Sequence, residues 1–211
     1  MRLHGYFRSS AAFRVRIALN LKGLQAEHVY HHLRHNAQKA PEFLKLNPHG
    51  LVPAFETGDG AVLTQSLAII EWLDETFPDP PLRPGDATRR AKILSFALAV
   101  ACDIHPVQNL RVLNRLRSLG QDDAGVQAWA AWVNRDGLAA CETLAMRESG
   151  PFLFGTQPTL ADLCLVPQLY NARRFKVDVS AFPRLLEAEA AALALPAFTA
   201  AQPQNQPDFE P

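Results

Sequence analysis

The chain of 211 residues carries no net charge, its 21 basic residues cancelling its 21 acidic ones. Such a balance leaves no global field to draw it to nucleic acid or to an anionic membrane surface. Cysteine is scarce. Cys102, Cys141 and Cys164 are widely spaced and odd in number, which excludes a disulfide framework and a clustered metal site. All three sit in apolar, helix-like text, where packing is the usual role of a thiol. No uninterrupted apolar stretch reaches the roughly 18 residues of a membrane span. Met1-Arg2-Leu3-His4 opens no signal-peptide run, and there is no internal repeat. The expectation is a cytoplasmic, reducing location with no membrane, nucleic-acid or metal partner.

What is present divides into two kinds of text. The apolar fraction is 48%, enough for a sizeable core in one large domain or two small ones. Leu3–Phe7 reads as a strand and Ser10–Lys22 as a helix, with Gly23 just past its end. Glu27–His31 reads as a strand and Pro41–Leu46 as a short helix with proline at its first turn. Val52–Glu56 and Ala61–Thr64 flank Thr57-Gly58-Asp59-Gly60, a hairpin signal. Ser66 opens an apolar helix to Phe77. The order is β-α-β-α-β-β-α. Pro78-Asp79-Pro80-Pro81-Leu82-Arg83-Pro84-Gly85-Asp86 then marks a linker.

Beyond the linker the text is helical almost throughout: Thr88–Leu119, Asp123–Glu148, Thr159–Arg173 and Phe182–Leu193. Thr159-Leu160-Ala161-Asp162 is a capping box, which gives Asp162 a structural role. The tail from Gln202 has little apolar content and is expected to be extended or mobile. The resulting expectation is an α+β thioredoxin-like domain over residues 1–80 and an all-α domain over residues 87–211.

The most informative stretch is Arg8-Ser9-Ser10-Ala11-Ala12-Phe13-Arg14-Val15-Arg16. A strand runs into two hydroxyls beside an arginine, and a helix begins at once. Hydroxyls and free N–H groups at a helix start suit an anion, here a thiolate. The plainer reading is that Ser9 or Ser10 caps the helix. The absence of cysteine from this helix excludes a thiol–disulfide oxidoreductase.

Several blocks together resemble the zeta class of glutathione transferases, the maleylacetoacetate isomerases, over nearly the whole chain. They are Arg8-Ser9-Ser10 with Arg14–Leu19, Leu46-Asn47-Pro48 with Val52-Pro53, Gln65–Glu71, Pro106–Leu110, Ala161–Gln168 and Asn171–Asp178. Val-Pro and Gln-Ser are shared by most glutathione transferases; the first and last blocks are far more class-specific. One departure stands out. The family usually carries Ser-Ser-Cys at the first helix, and here the third position is Ala11.

The resemblance implies a glutathione transferase fold, glutathione as cofactor, and isomerisation of a maleyl diketo acid by reversible thiolate addition. It implies that Ser9, with Ser10 the second choice, donates to the thiolate, with Ala11 beside them. A free thiol titrates near ~8.5, so such help matters at neutral pH. It makes Pro53 a cis proline that turns the Val52 backbone toward the ligand. Ser66, next to Gln65, faces the γ-glutamyl carboxylate, and Gln38, with Asn36 and Lys39, holds the glycine end; a solvated loop is the competing reading there. In the helical half, Asp103-Ile104-His105-Pro106-Val107-Gln108-Asn109 is a polar cluster in a long helix that Pro106 should kink. Gln108 and Asn109 match family positions near the sulfur, and Asn109 is also assigned to the substrate; His105 is counted with the cofactor-binding residues, a satisfied structural histidine being the competing reading.

Arg174 is assigned by the same resemblance to the substrate carboxylate, while Arg173 fits a solvated arginine. Arg8 is assigned to charge on the reacting substrate. A homodimer follows from the family. Maleylacetoacetate is the leading substrate. Maleylpyruvate isomerisation and a conjugating or dehalogenating transferase are the alternatives. An interaction module without activity is a further one, and Ser9, Gln65-Ser66 and Arg174 argue against it.

Overall fold

The computed structural model describes residues 1–210 and divides them into two compact units. The first comprises Met1–Pro81 together with the chain from Ala194; the second is Leu82–Leu193. The C-terminal segment therefore belongs to the strand-containing unit, not to the helical one as the expected boundaries of 1–80 and 87–211 had it.

In the first unit the elements are β1 (Arg2–Gly5), α1 (Ser10–Leu21), β2 (Glu27–Tyr30), α2 (Pro41–Leu46), β3 (Ala54–Glu56), β4 (Val62–Thr64) and α3 (Ser66–Thr76). This is the β-α-β-α-β-β-α order read from the sequence. The sheet runs β2-β1-β3-β4, with β1 and β2 parallel and the other two pairs antiparallel. The parallel pair needs a crossover, and α1 supplies it. Ala12, Phe13, Val15, Ile17, Ala18 and Leu19 of α1 are all buried, each large apolar side chain contributing about 1.5–3 kcal/mol. α1 ends where Gly23 adopts φ +64, a conformation that glycine enters without steric cost. The peptide bonds before Pro53 and Pro80 are cis.

The C-terminal segment is ordered by contacts, contrary to the expectation of an extended tail. α9 (Pro196–Ala201) packs on α1, and a 3₁₀ turn follows at Pro203–Asn205. Pro203 and Gln206 are buried. The Gln206 side-chain amide donates to the carbonyls of Ala200 and Gln202. Low apolar content misled here because a few buried residues, Phe198, Ala201 and Pro203, together with the Gln206 hydrogen bonds, hold the segment.

The second unit contains α4 (Ala87–Leu98), α5 (Leu110–Ser118), α6 (Asp123–Ala145), α7 (Leu160–Arg174) and α8 (Pro183–Leu193). The segment read as one helix over residues 88–119 is two α-helices, α4 and α5. A π turn at Ala99–Ile104 and a 3₁₀ turn at Pro106–Gln108 separate α4 from α5, because Pro106 has no N–H to continue the ladder. By length and composition the whole stretch Ala87–Ser118 is apolar enough to cross a membrane. Lys92, Ser95 and Asp103 break every uninterrupted run, which is why a search for such runs passes over it. Its Ile93, Phe96, Ala97, Val100 and Ile104 are buried.

The capping box of α7 forms as read. Thr159 N–H and hydroxyl donate to Asp162 Oδ2 at 2.8 and 3.0 Å, and Leu153 N–H donates to Oδ1 at 2.9 Å. Asp162 is fully buried. Burial pushes its carboxyl up to about 6 against the pull of these donors.

Candidate functional site

The sheet register gathers the candidate residues of the first unit at one end. His4 of β1 stands opposite Ala54 of β3, and Ala54 opposite Thr64 of β4. Three connections therefore share the same sheet end: the turn leaving β1 toward Ser9, the Val52-Pro53 approach to β3, and the Gln65-Ser66 exit from β4.

Ser9 is the N-cap of α1. Its backbone is extended (φ −68, ψ 114), and its hydroxyl oxygen accepts the Ala12 N–H at 3.2 Å. That leaves the hydroxyl proton available for an outside acceptor, since a hydroxyl has one donor and two lone pairs. The capping bond therefore uses only the acceptor side of this hydroxyl. Ser10 is buried as the first helical residue, and Ala11 follows, half-buried, in the same turn. Arg8 is half-buried, its guanidinium 5.8 Å from the centre of the Phe7 ring.

Gln65 holds φ +69 and precedes α3 without capping it through its side chain. A non-glycine residue in that region is strained by roughly 1–3 kcal/mol, and such strain collects at functional sites. Ser66 is buried, and its hydroxyl accepts from Arg14 Nη1 at 3.3 Å. The Arg14 guanidinium is 1% exposed, and its Nε and Nη2 find no partner among the described residues. Sequence reasoning missed Arg14 as a site feature. The available signal was an arginine inside an apolar helix, where a charge needs a reason. With the free N–H groups of α3 it places positive charge beside Ser66. Gln38 is buried in the 3₁₀ turn Ala37–Lys39, and its Oε1 lacks a partner. Lys39 donates weakly to the His49 carbonyl at 3.4 Å, and Asn36 is exposed.

In the second unit the polar cluster is arranged differently. His105 is half-buried between the π turn and the 3₁₀ turn, and its N–H donates to the Val100 carbonyl at 2.9 Å. Gln108 is 1% exposed with neither side-chain polar atom partnered among the described residues. Asn109 is the N-cap of α5, its Oδ1 accepting from Arg111 N–H at 3.0 Å and Val112 N–H at 3.4 Å. Its carbonyl oxygen is thus already in structural use. Arg174 is the last residue of α7, exposed, its guanidinium 4.5 Å from the centre of the Phe175 ring. Arg173, read as solvated, is exposed and in addition forks onto the Glu189 carboxylate of α8.

Family models for the glutathione S-transferase N-terminal and C-terminal domains match residues 3–81 and 135–191. The chain is 46% identical to the maleylacetoacetate isomerase of Pseudomonas aeruginosa, over 99% of this chain and 98% of that one. It is similar, at TM-score 0.97 and 44% identity over 100% of both chains, to a holo maleyl pyruvate isomerase, a bacterial zeta-class glutathione S-transferase. It is also similar to a maleylacetoacetate isomerase of Anaeromyxobacter dehalogenans solved with dicarboxyethyl glutathione and citrate in its active site. That match has TM-score 0.89 and 42% identity, over 100% of this chain and 97% of the other.

Proposed function

The chain belongs to the glutathione transferase family, in its zeta class of maleylacetoacetate isomerases, and from that premise we propose that it is a glutathione-dependent cis–trans isomerase acting on maleylacetoacetate. The observation that carries this reading is the shared sheet end with its matched groups. Ser9 keeps a free hydroxyl proton at the start of α1, and Ser66 lies beside the buried cation Arg14 at the start of α3. The unpartnered Arg14 N–H groups and Gln38 Oε1 fit glutathione, which offers carboxylates to the first and amide donors to the second.

When bound, glutathione supplies the sulfur nucleophile that adds reversibly to the cis double bond and so permits rotation to the trans isomer. Ser9 donates to that sulfur and, with the α1 N-terminus, favours its ionised form. Ser66 and Arg14 hold the γ-glutamyl carboxylate, Val52 offers its backbone to the cysteinyl portion, and Gln38 holds the glycine end. Arg8 stabilises negative charge that develops on substrate oxygen, and Arg174 takes the terminal carboxylate with paired donors. No role here needs a thiol at position 11, so Ala11 is compatible with the chemistry.

Turnover of maleylacetoacetate and maleylpyruvate side by side, with and without glutathione, tests the proposal. Isomerisation that needs glutathione and favours the first acid is expected. Preference for maleylpyruvate would move the assignment to that second reading, which the 0.97 TM-score to a maleyl pyruvate isomerase favours. Equal rates without glutathione would end it. We further propose a cytoplasmic homodimer, as two-fold dimers are the commonest homo-oligomer; light scattering at micromolar concentration would refute it by a mass near 23.3 kDa.

A further inference from the structure

The turn that presents Ser9 is gripped by two charged residues with no part in the chemistry above. Ser9 N–H donates to the Tyr6 carbonyl at 3.0 Å and closes the turn Tyr6-Phe7-Arg8-Ser9. Arg16 reaches back from α1 onto this turn. Its Nη2 donates to the Phe7 carbonyl at 2.9 Å and its Nη1 to the Tyr6 carbonyl at 3.4 Å. Asp208, in the C-terminal segment, accepts the Phe7 N–H through Oδ2 at 2.9 Å. Both backbone polar groups of Phe7 are thus held by charged side chains. Arg16 Nε also donates to the Ala201 carbonyl at 3.0 Å, tying α9 to the same turn. Phe209 stands edge-on to Phe7 at 5.4 Å, and Glu210 meets His32 Nε2 at 2.9 Å.

This arrangement is costly if stability is its only product. Arg16 is 4% exposed, and burial draws its pKa down to about 10 while the charge of Asp208 opposes the fall. Taking a charge out of water is costly, and hydrogen bonds to backbone groups at best offset that cost. What they supply is direction: charge-assisted hydrogen bonds fix a backbone group in angle as well as distance, which apolar packing does not. The groups fixed here lie one and two residues before Arg8 and Ser9.

We propose that Arg16 and Asp208 are positioning residues for thiol activation. They set the Tyr6–Ser9 turn so that the Ser9 hydroxyl faces the sulfur, and they make the C-terminal segment part of the activating apparatus. The proposal rests on the glutathione reading of Ser9.

The experiment compares full-length wild type, Ser9→Ala, Asp208→Ala, Asp208→Asn and Asp208→Glu. Three quantities are read: amide hydrogen exchange at Phe7 and Ser9 without ligand, the pKa of bound glutathione by thiolate absorbance, and kcat against KM for glutathione. Asp208→Ala is expected to speed exchange at Phe7 and raise the bound thiol pKa by about one unit, tenfold less thiolate. It should lower kcat by about tenfold with KM for glutathione nearly unchanged, since a displaced reacting group can cost up to ~10²-fold. Asp208→Asn keeps an acceptor oxygen and should recover most of the loss. Asp208→Glu keeps charge but moves the acceptor; it should shift the thiol pKa while remaining folded, and it decides the matter if Asp208→Ala does not fold. Unchanged exchange and thiol pKa in the folded variants, with Ser9→Ala shifted, would overturn the positioning role alone. A wild type that leaves the thiol at its free value would overturn the glutathione reading and this proposal together.

Discussion

In the first unit the buried cations Arg14 and Arg16 lie against a hydroxyl and backbone carbonyls of the turns that leave the sheet. In the second unit the amides of Gln108, Asn134, Gln168 and Asn171 are buried along with the carboxylates of Glu142, Asp162 and Glu189. Asn134 Nδ2 donates to the Ala130 carbonyl at 2.8 Å, and Gln168 Nε2 donates to Asn134 Oδ1 at 2.6 Å. Gln168 Oε1, Asn171 Oδ1 and both polar atoms of Gln108 keep unpartnered capacity. Charge directed at backbone fixes a turn in place. Amide side chains leave the backbone to its helix and keep hydrogen-bonding capacity in reserve. The buried guanidinium groups thus lie in the first unit and the buried carboxylates in the second.

The contrast predicts where substitutions hurt most. The one deeply buried carboxylate at a helix start in the second unit should be its weakest point. Asp162→Ala strips Leu153 and Thr159 of their acceptor and leaves buried N–H groups unmatched, at roughly 1–3 kcal/mol each. A loss of about 2–5 kcal/mol by chemical denaturation is expected; a loss under ~1 kcal/mol would mean the amides, not the cap, carry this unit.

The two units should also answer acid with opposite signs. The Asp162 carboxyl sits at about 6 in the folded chain, above an unfolded value near 3.9. The folded state binds that proton more tightly, so this contribution grows as pH falls from about 6 to about 4, by on the order of 2–3 kcal/mol. Glu56 in the first unit is held low, chiefly by the His4 hydrogen bond at 2.8 Å and then by Arg2. Its contribution is present above the ordinary carboxylate range and is lost as pH falls below it. Melting curves from about pH 2.5 to 7 for wild type, Asp162→Asn and Glu56→Gln separate the two signs; parallel curves for all three would refute the contrast.

A smaller effect is expected at the sulfur. Ser9→Ala removes one charge-assisted hydrogen bond of about 1.5–3 kcal/mol, so the bound thiol pKa should rise by about one to two units. An unchanged titration would move the role to Ser10 or to the helix N-terminus. The smallest effect is Asn109→Ala, which loses a cap of about 1 kcal/mol in stability. If Asn109 also serves the substrate, kcat/KM falls in addition; stability loss alone would leave it a cap.

Legibility in the sequence followed the same division. The strand order, the hairpin, the capping box and the Ser9 cap were readable because each is a local signal of a few residues. The gathering of Ser9, Val52-Pro53 and Gln65-Ser66 followed from topology once their resemblance was noticed. Arg14, Arg16 and Asp208 were not readable as a set. Arg16 and Asp208 meet turn residues through folding alone, and Asp208 lies in text too polar to announce a packed segment. The ion pair of the exposed Arg173 is hidden for the same reason: its partner Glu189 lies on the next helix. The break of the long helix at Pro106 was foreseen as a kink, but the π turn before it has no composition of its own.

The hydrogen bond from Phe7 to Asp208 joins residues 201 apart in sequence. A ribosome adding about 5–20 residues per second finishes the whole β-α-β-α-β-β-α text long before it delivers that partner. From the end of α3 at Thr76 to Asp208 the interval is on the order of 7–26 s. For that time the nascent strand-containing unit has its sheet and helices but not the clamp on its Tyr6–Ser9 turn. The Tyr6–Ser9 turn therefore gains its Asp208 contact only after all residues of the helical unit, Leu82–Leu193, have been added.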